Sequence, residues 1–336
     1  MRTTRVLVTG SAGHLGEALL RTFRAAGRPA AGLDIKPSPF TDHVGSIGDR
    51  ALLKRCMHGV KTVIHAATLH KPHIATHSMQ DFVATNVTGT LNLLEEAAAA
   101  GVECFLYTST TSTFGDAMSP AAGEPAAWIT EEVAPIPKNI YGVTKLAAES
   151  LCELFFRKHG LATLVLRTSR FFPEDDDDAA TRSRYDTANT QANELLYRRA
   201  DIADMVAAHL SAEDRLIEAE FRREKGFRRY IISARTPFQR SDCGQLRSTA
   251  AEVVQRLFPE CEALYRAQGW TLFPSLDRVY DSSLAMRELH WQPRYDFQHV
   301  LECLKQGIDF RSPLAREVGS KGYHGKVFTE GPYPVR

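Results

Sequence analysis

The hydrophobic pattern is a series of short, nearly unbroken apolar runs separated by longer amphipathic stretches. Val6-Leu-Val-Thr-Gly10, Pro29-Ala-Ala-Gly-Leu-Asp34, Lys61-Thr-Val-Ile-His-Ala-Ala67, Cys104-Phe-Leu-Tyr-Thr-Ser-Thr110 and Leu161-Ala-Thr-Leu-Val-Leu-Arg167 have strand length and little polar alternation, the texture of strands buried on both faces. Between them, Leu15, Leu19, Leu20 and Phe23 fall at helical spacing. Helical periods also predict helices over 50–58, with Asp49 as its cap, 78–100, 140–159, 201–216 and most of 242–268. A later strand is expected over 229–233. Residues 115–138, rich in Pro, Ala and Gly, show no element and read as a substrate-side loop or lid. The acidic run 174–178 reads as solvated, and 179–197 is polar and poorly periodic. Strands alternating with helices predict an α/β fold, a doubly wound parallel sheet of Rossmann type with its site at the strand C-terminal ends.

Composition narrows the classes. At 336 residues the chain can bury a substantial core, and its apolar content of 43% and charged content of 24% are ordinary for a globular protein. A net charge of +1 gives no reason to expect nucleic acid or an anionic membrane as partner. No stretch approaches the roughly 20 apolar residues of a membrane span, and Met1 to Arg5 lead straight into a strand without an apolar leader. Cys56, Cys104, Cys152, Cys243, Cys261 and Cys303 form no Cys-x-x-Cys pair. They read as reduced thiols of a cytoplasmic protein, with no metal site. The tail from Arg311 is expected to wrap the surface.

Three features carry chemistry. The first apolar run ends in Gly10-Ser-Ala-Gly13-His-Leu-Gly16 and opens a helix, the geometry that aims backbone N–H groups at a phosphate. Gly10 permits the turn, Gly13 lets backbone approach a pyrophosphate, and Gly16 allows close helix–strand packing. The second run ends in Asp34, 24 residues beyond Gly10, where a carboxylate can hold ribose hydroxyls and repel a 2′-phosphate. NAD is therefore favoured over NADP, although Lys36 is close. Third, Tyr141 and Lys145 sit four apart on a predicted helix, so phenol and ammonium share a face. A neighbouring ammonium favours phenolate, and Ser109 or Thr110 at a strand end can hold a substrate oxygen in line with Tyr141.

In their order, Thr9-Gly10-x-x-Gly13-x-x-Gly16, Asp34, Asn86 within Thr-Asn-Val-Thr-Gly-Thr, Ser109-Thr110 before Phe114-Gly115, and Tyr141-x-x-x-Lys145 resemble the extended short-chain dehydrogenase/reductases, the NAD-dependent epimerase/dehydratase group. The resemblance is dense over 5–170, looser over 201–210, and returns at Asp281-Ser-Ser-Leu-Ala…Trp291-Gln-Pro293. It implies a Rossmann domain over 1–170 and a smaller substrate lobe over 171–336, with 201–235 returning to the sheet. It implies Tyr141 as acid/base and Lys145 as the group that lowers its pKa and holds the nicotinamide ribose. Thr110 matches the catalytic hydroxyl, with Ser109 as fallback, and Asn86 the residue supporting the active-site helix. NAD would be held by Gly10, Ala12, Gly13, His14, Leu15, Gly16, Asp34, Ile35, Ser46, Ile47, His65, Ala66, Ala67, Tyr141, Lys145 and Pro173. A homodimer through the helices at 78–100 and 140–159 is implied by analogy.

Departures from the group's pattern bear on the substrate. Thr110 is followed by Thr111-Ser112 rather than an acid pair, so a 4,6-dehydratase is not expected. The segment after Arg167 is short, and Ser169-Arg-Phe-Phe-Pro-Glu174 is more similar to the uronate dehydrogenases of the group than to its nucleotide-sugar epimerases. Arg170, Arg199 and Arg278, with Arg240, are candidates for a substrate carboxylate or diphosphate. His65, His70, His73 and His77 have metal-like spacing, but Pro72 breaks the run and no carboxylates support it. The expected activity is hydride transfer between NAD and a carbinol carbon of a sugar, sugar acid or nucleotide sugar. The alternatives are a nucleotide-sugar 4-epimerase that recycles NAD and a non-catalytic NAD-binding sensor.

Overall fold

The structure, a computed structural model, describes residues 5–322 together with 324, 328 and 331. Its strands, in chain order, are β1 (Arg5–Thr9), β2 (Ala30–Asp34), β3 (His43–Val44), β4 (Val60–His65), β5 (Cys104–Thr110), β6 (Ala127–Ile129), β7 (Ala162–Thr168), β8 (Phe227–Ile232) and β9 (Arg278–Tyr280). Seven form one sheet in the order β3-β2-β1-β4-β5-β7-β8, and the registered pairs from β3 to β7 are all parallel. Parallel strands need crossovers, which helices supply. These are α1 (His14–Ala25) after β1 and α2 (Arg50–Cys56) after β3. After β4 come α3 (Met79–Phe82), a π-helical segment Val83–Gly89 and α4 (Thr90–Ala99), and α5 (Ile140–His159) precedes β7. Then follow α6 (Ala179–Arg184), α7 (Thr187–Glu194) and α8 (Ile202–Ile217).

Local chemistry sets the helix ends as the sequence anticipates. Asp49 accepts from the Leu52 N–H and Asn139 from the Gly142 N–H, each satisfying an orphan donor of a first turn. The 20-residue α5 stops at Gly160, which takes the left-handed conformation at φ 67°, behind the basic residues Arg157, Lys158 and His159.

The chain divides into two compact units. The first comprises 1–113, 137–168 and 205–230, the second 114–136, 169–204 and 231–336. In the first, the strands are buried along nearly their whole length, and Leu7, Val63, Phe105 and Val165 meet Leu93 and Phe155 in one core.

The second unit departs most from expectation. Residues 114–136, anticipated as an element-free part of the nucleotide domain, belong to this unit and contribute β6, which pairs in parallel with β9. Three-residue strands are too short to betray a period. The polar stretch 179–197 forms α6 and α7, and its amides are buried rather than solvated. Asn189 Oδ1 accepts from Thr271 N, Asn193 Oδ1 accepts from Phe273 N, and both Nδ2 groups donate to Thr271 O. A polar helix is thus stitched to a segment some 80 residues away by side chains that supply both hydrogen-bonding roles of a backbone. The acidic run is not simply solvated either: Asp176 is buried between Arg170 and Arg198. The helix expected over 78–100 is continuous but passes through the π-helical segment. The tail opens with the turn Pro313–Val318, and its last residues fall outside the described set. The six cysteines are free and buried. Among the described residues no helix is long and apolar enough to cross a membrane, and no three His, Cys, Asp or Glu side chains group as a metal site.

Candidate active site

The glycine turn after β1 is forced by close contact. Gly10 has φ +77°, and a Cβ at Gly16 would lie 2.0 Å from the Gly10 carbonyl oxygen, so only glycine lets α1 start this near β1. No side chain caps the α1 N-terminus, whose cap residue is Gly13, so its first N–H groups are of the kind that meets phosphate. Asp34 is fixed at the end of β2: one oxygen accepts from Ala12 N and the other from Lys36 N. The carboxylate thus stands beside the turn. Ile35 next to it is 66% exposed, which leaves an apolar surface for a flat ring. These features fit a dinucleotide.

The residues expected around the adenosine separate on inspection. His14 and Leu15 are buried in α1, Ala12 and Ser46 are exposed, and Ala66 and Ala67 are half-buried with their N–H groups bonded to the Thr9 carbonyl and hydroxyl. Ile47 is a core residue against Gly89. The His65 side chain points into the protein, between the Thr9 and Thr90 hydroxyls at 2.7 and 2.9 Å. Burial, with the Lys145 charge adding to it, lowers its pKa to about 3, so it is a neutral strut in the interior. Only its backbone is placed to line a ligand, which corrects the side-chain role anticipated for it.

The catalytic candidates lie where α5 meets the end of β5. A Cβ at Gly142 would come within 2.9 Å of the Ser112 carbonyl oxygen, so glycine after Tyr141 permits the approach that joins the two elements. Tyr141 is buried and hydrogen-bonded to Thr110. One turn along, Lys145 Nζ donates to the Thr108 carbonyl at 2.6 Å and stands 4.1 Å over the Tyr107 ring. Asn86, in the π-helical segment, accepts from the Thr68 hydroxyl and Leu69 N–H and donates to Leu69 O and Thr144. It ties the post-β4 segment to α5. Ser109 is not interchangeable with Thr110: its hydroxyl donates to Glu149 at 2.6 Å, because neighbouring strand residues face opposite sides of a sheet.

The electrostatics differ from the simple expectation of a phenol held down by an ammonium. Burial pushes the Tyr141 phenol up to about 12, with the Thr110 hydrogen bond pulling the other way. Burial also lowers the Lys145 ammonium to about 7, against the opposing pull of Glu149. The Lys145 charge is aimed at the Thr108 carbonyl and the Tyr107 ring, which is why burial dominates at the phenol.

Sequence reading missed the supports of this helix. Glu149, one turn beyond Lys145 and fully buried, receives Arg167 in a two-pronged pair, Arg229 and the Ser109 hydroxyl. His209 donates from Nδ1 to the Met205 carbonyl and therefore accepts at Nε2 from Thr108. A Glu at Lys145+4 was a legible signal; His209 had none, since its partner is 101 residues away.

In the second unit, Arg170 and Arg199 are committed to internal carboxylates. Arg199 pairs with Glu194 at 2.6 Å and donates to the Phe172 carbonyl, and Arg170 pairs with Asp176 at 2.9 Å. Arg278 pairs with Asp277 and reaches the Tyr280 hydroxyl. The Pro173 carbonyl accepts from Gln191.

Comparison with known proteins agrees with this geometry. A short-chain dehydrogenase/reductase superfamily protein from Agrobacterium tumefaciens, solved with bound NAD, superimposes with a TM-score of 0.63 over 93% of this chain and 99% of its own, at 24% identity. The UDP-glucose 4-epimerase of Azospirillum brasilense is 30% identical over 174 residues, 48% of each chain. The L-arabinose 1-dehydrogenase (NAD(P)(+)) of Haloferax volcanii is 27% identical over 200 residues, 54% of this chain and 74% of its own. The first of these curated relatives is thus matched over about half its length. The family model described as NAD dependent epimerase/dehydratase matches residues 6–213, and the chain belongs to that family.

Proposed function

We propose that the protein is an NAD-dependent oxidoreductase that transfers hydride at a carbinol carbon of a sugar or sugar derivative, with Tyr141 exchanging the hydroxyl proton. The observation that carries the reading is the Thr110–Tyr141 hydrogen bond at the end of β5, with Lys145 one turn along α5. A hydroxyl donor and a phenol that meet at one oxygen position can hold a carbinol and accept its proton in the same geometry. Oxidised nicotinamide, when bound, supplies the hydride acceptor and a positive charge that offsets the burial cost of a phenolate. Thr110 orients the substrate oxygen, Lys145 fixes the cofactor ribose, and Asn86 keeps α5 in register. Asp34 accepts the adenosine ribose hydroxyls and disfavours NADP.

Arg278 is the arginine we assign to a negative charge on the substrate, because its carboxylate partner Asp277 is partly exposed whereas Arg170 and Arg199 share the buried Glu194. A homodimer is supported by Met79, Val83 and Val143, which are exposed apolar residues on the helices expected to associate.

NADH absorbance after mixing the protein and NAD⁺ with free sugars, uronic acids and nucleotide sugars tests the reading. Steady accumulation on one compound makes the protein a dehydrogenase. Conversion of a nucleotide sugar without accumulation makes it an epimerase, the reading favoured by the Azospirillum relative. Tyr141→Phe is expected to lower kcat by roughly 10²–10⁴ while NAD binding persists; a fully active variant overturns the assignment.

A further inference from the structure

The segment after β4, whose histidines first suggest a metal, holds a different device. His70 caps the 3₁₀-helix Lys71–Ala75, and the cap is reciprocal. The His70 side chain accepts from the His73 backbone N–H, while the His70 backbone N–H donates to His73 Nδ1 at 2.8 Å. The His70 ring, half-buried, has its centroid 6.0 Å from that of the buried Tyr141, with the planes tilted by 47°. The two rings lie on separate elements, so the cap sets where the imidazole stands beside the phenol.

The cap also fixes which hydrogens the imidazole carries. A ring nitrogen that accepts an N–H bond holds a lone pair there, so in neutral histidine the other nitrogen bears the hydrogen. Protonating the capped nitrogen would set hydrogen against hydrogen and break the cap. The titratable groups around His70 are Lys71, His73 and His77 on its own segment and Tyr141 on α5. Three of these four are bases, so an added positive charge on His70 is further disfavoured. The ring is therefore a neutral N–H donor of fixed tautomer.

We infer that His70 is a specificity-determining residue, a neutral N–H donor held beside Tyr141 by the His70–His73 cap to bind an oxygen on the carbon next to the reacting carbinol. The ligand class is a vicinal hydroxyl or carboxylate oxygen of a sugar or sugar acid. This rests on Tyr141 being the acid/base of the proposed reaction, and no proton passes through His70 in this role.

Two measurements on the full chain test it. Nitrogen-15 NMR of histidine-labelled protein at pH 7, with the His70 signal assigned by its loss in His70→Gln, is expected to show one neutral tautomer. An imidazolium, or a mixture of tautomers, overturns the inference whatever the substrate proves to be. The second uses NAD⁺ and the compound that turns over in the panel, beside its deoxy analogue lacking the neighbouring oxygen. His70→Phe should raise KM at least tenfold for the parent compound with kcat within about threefold, and His70→Gln, which keeps an N–H donor, should recover most of the loss. The deoxy analogue should show no such difference. An unchanged KM in His70→Phe, or an equal rise for both compounds, overturns the inference. Full activity in Tyr141→Phe would instead defeat the underlying functional reading and leave the tautomer result standing.

Discussion

Each unit buries one carboxylate among arginines, and the two clusters differ in what they hold together. Glu149, on the helix of Tyr141 and Lys145, draws Arg167 from β7, Arg229 from β8 and Ser109 from β5, partners 18 to 80 residues away. Glu194, at the end of α7, is held by Arg198 and Arg199 within five residues, with Arg170 as a third. The first cluster joins a helix to strand ends across the sheet and so fixes the site's frame. The second closes a local turn and consumes the arginines that a substrate anion could have used. The same ion-pair physics thus acts as scaffold in one unit and as charge neutralisation in the other. A buried arginine near an expected substrate region is informative only once its partner is known.

The comparison can be broken most strongly at Glu194. Burial alone would raise its carboxyl, but Arg199, Arg198 and Arg170 outweigh that and hold it down to about 2. Glu194→Ala leaves the buried guanidinium groups undercompensated, and a loss of roughly 4 kcal/mol is expected. Urea denaturation followed by tryptophan emission checks this, because Trp128, Trp270 and Trp291 all lie in the second unit.

Glu149→Gln should cost less, about 2–3 kcal/mol, because the amide oxygen can still accept from Ser109 and one arginine. It also removes the charge that supports the Lys145 ammonium, so NAD affinity should fall alongside stability. Far-UV circular dichroism and NAD titration check the two effects. A variant as stable as the parent would show that the cluster is not the scaffold described.

The smallest effect per group sharpens the contrast through pH. His65 and His209 are buried neutral, with burial lowering them to about 3 and about 4. Unfolded histidine binds its proton first, so their stabilisation is complete above about pH 6.5 and declines as pH falls below it. At pH 5 each has lost about 2 kcal/mol. Glu194 has the opposite chemistry but the same direction: its contribution is present above the ordinary carboxylate range near 4.5 and is lost as pH falls towards 2. Asp204, which burial pushes up to about 7 against two backbone N–H bonds, gains rather than loses as pH falls below 7. Urea midpoints read by circular dichroism should therefore drop between pH 7 and 5, while those read by tryptophan emission hold. Parallel loss in both signals would show that the histidines do not govern the first unit's acid response.

The first unit was legible because its physics is local and periodic. Apolar runs with glycine exits, Asp49 and Asn139 as caps, and Tyr141 four before Lys145 each announce themselves within a few residues. The second unit was not, because its determinants are remote. The amides of Asn189 and Asn193 look like surface polarity until Thr271 and Phe273 arrive to bond them. Within the site, the distinction between Thr110 and Ser109 and the inward turn of His65 depend on which side of the sheet a residue faces. Composition does not record that. His70 escaped for a related reason: its meaning lies in a hydrogen bond to its own neighbour rather than in its type.

The pairing of β6 with β9 has a consequence for the chain's birth. Ala127 meets Arg278, Trp128 meets Val279, and Ile129 meets Tyr280. Ribosomal synthesis at about 5–20 residues per second separates partners some 150 residues apart by roughly 10–30 s. Throughout that interval β6 has emerged without its mate, and chaperone occupancy of nascent chains is expected to concentrate there. A protein cut anywhere before β9 would keep the glycine turn and the Tyr141 helix yet leave β6 unpaired.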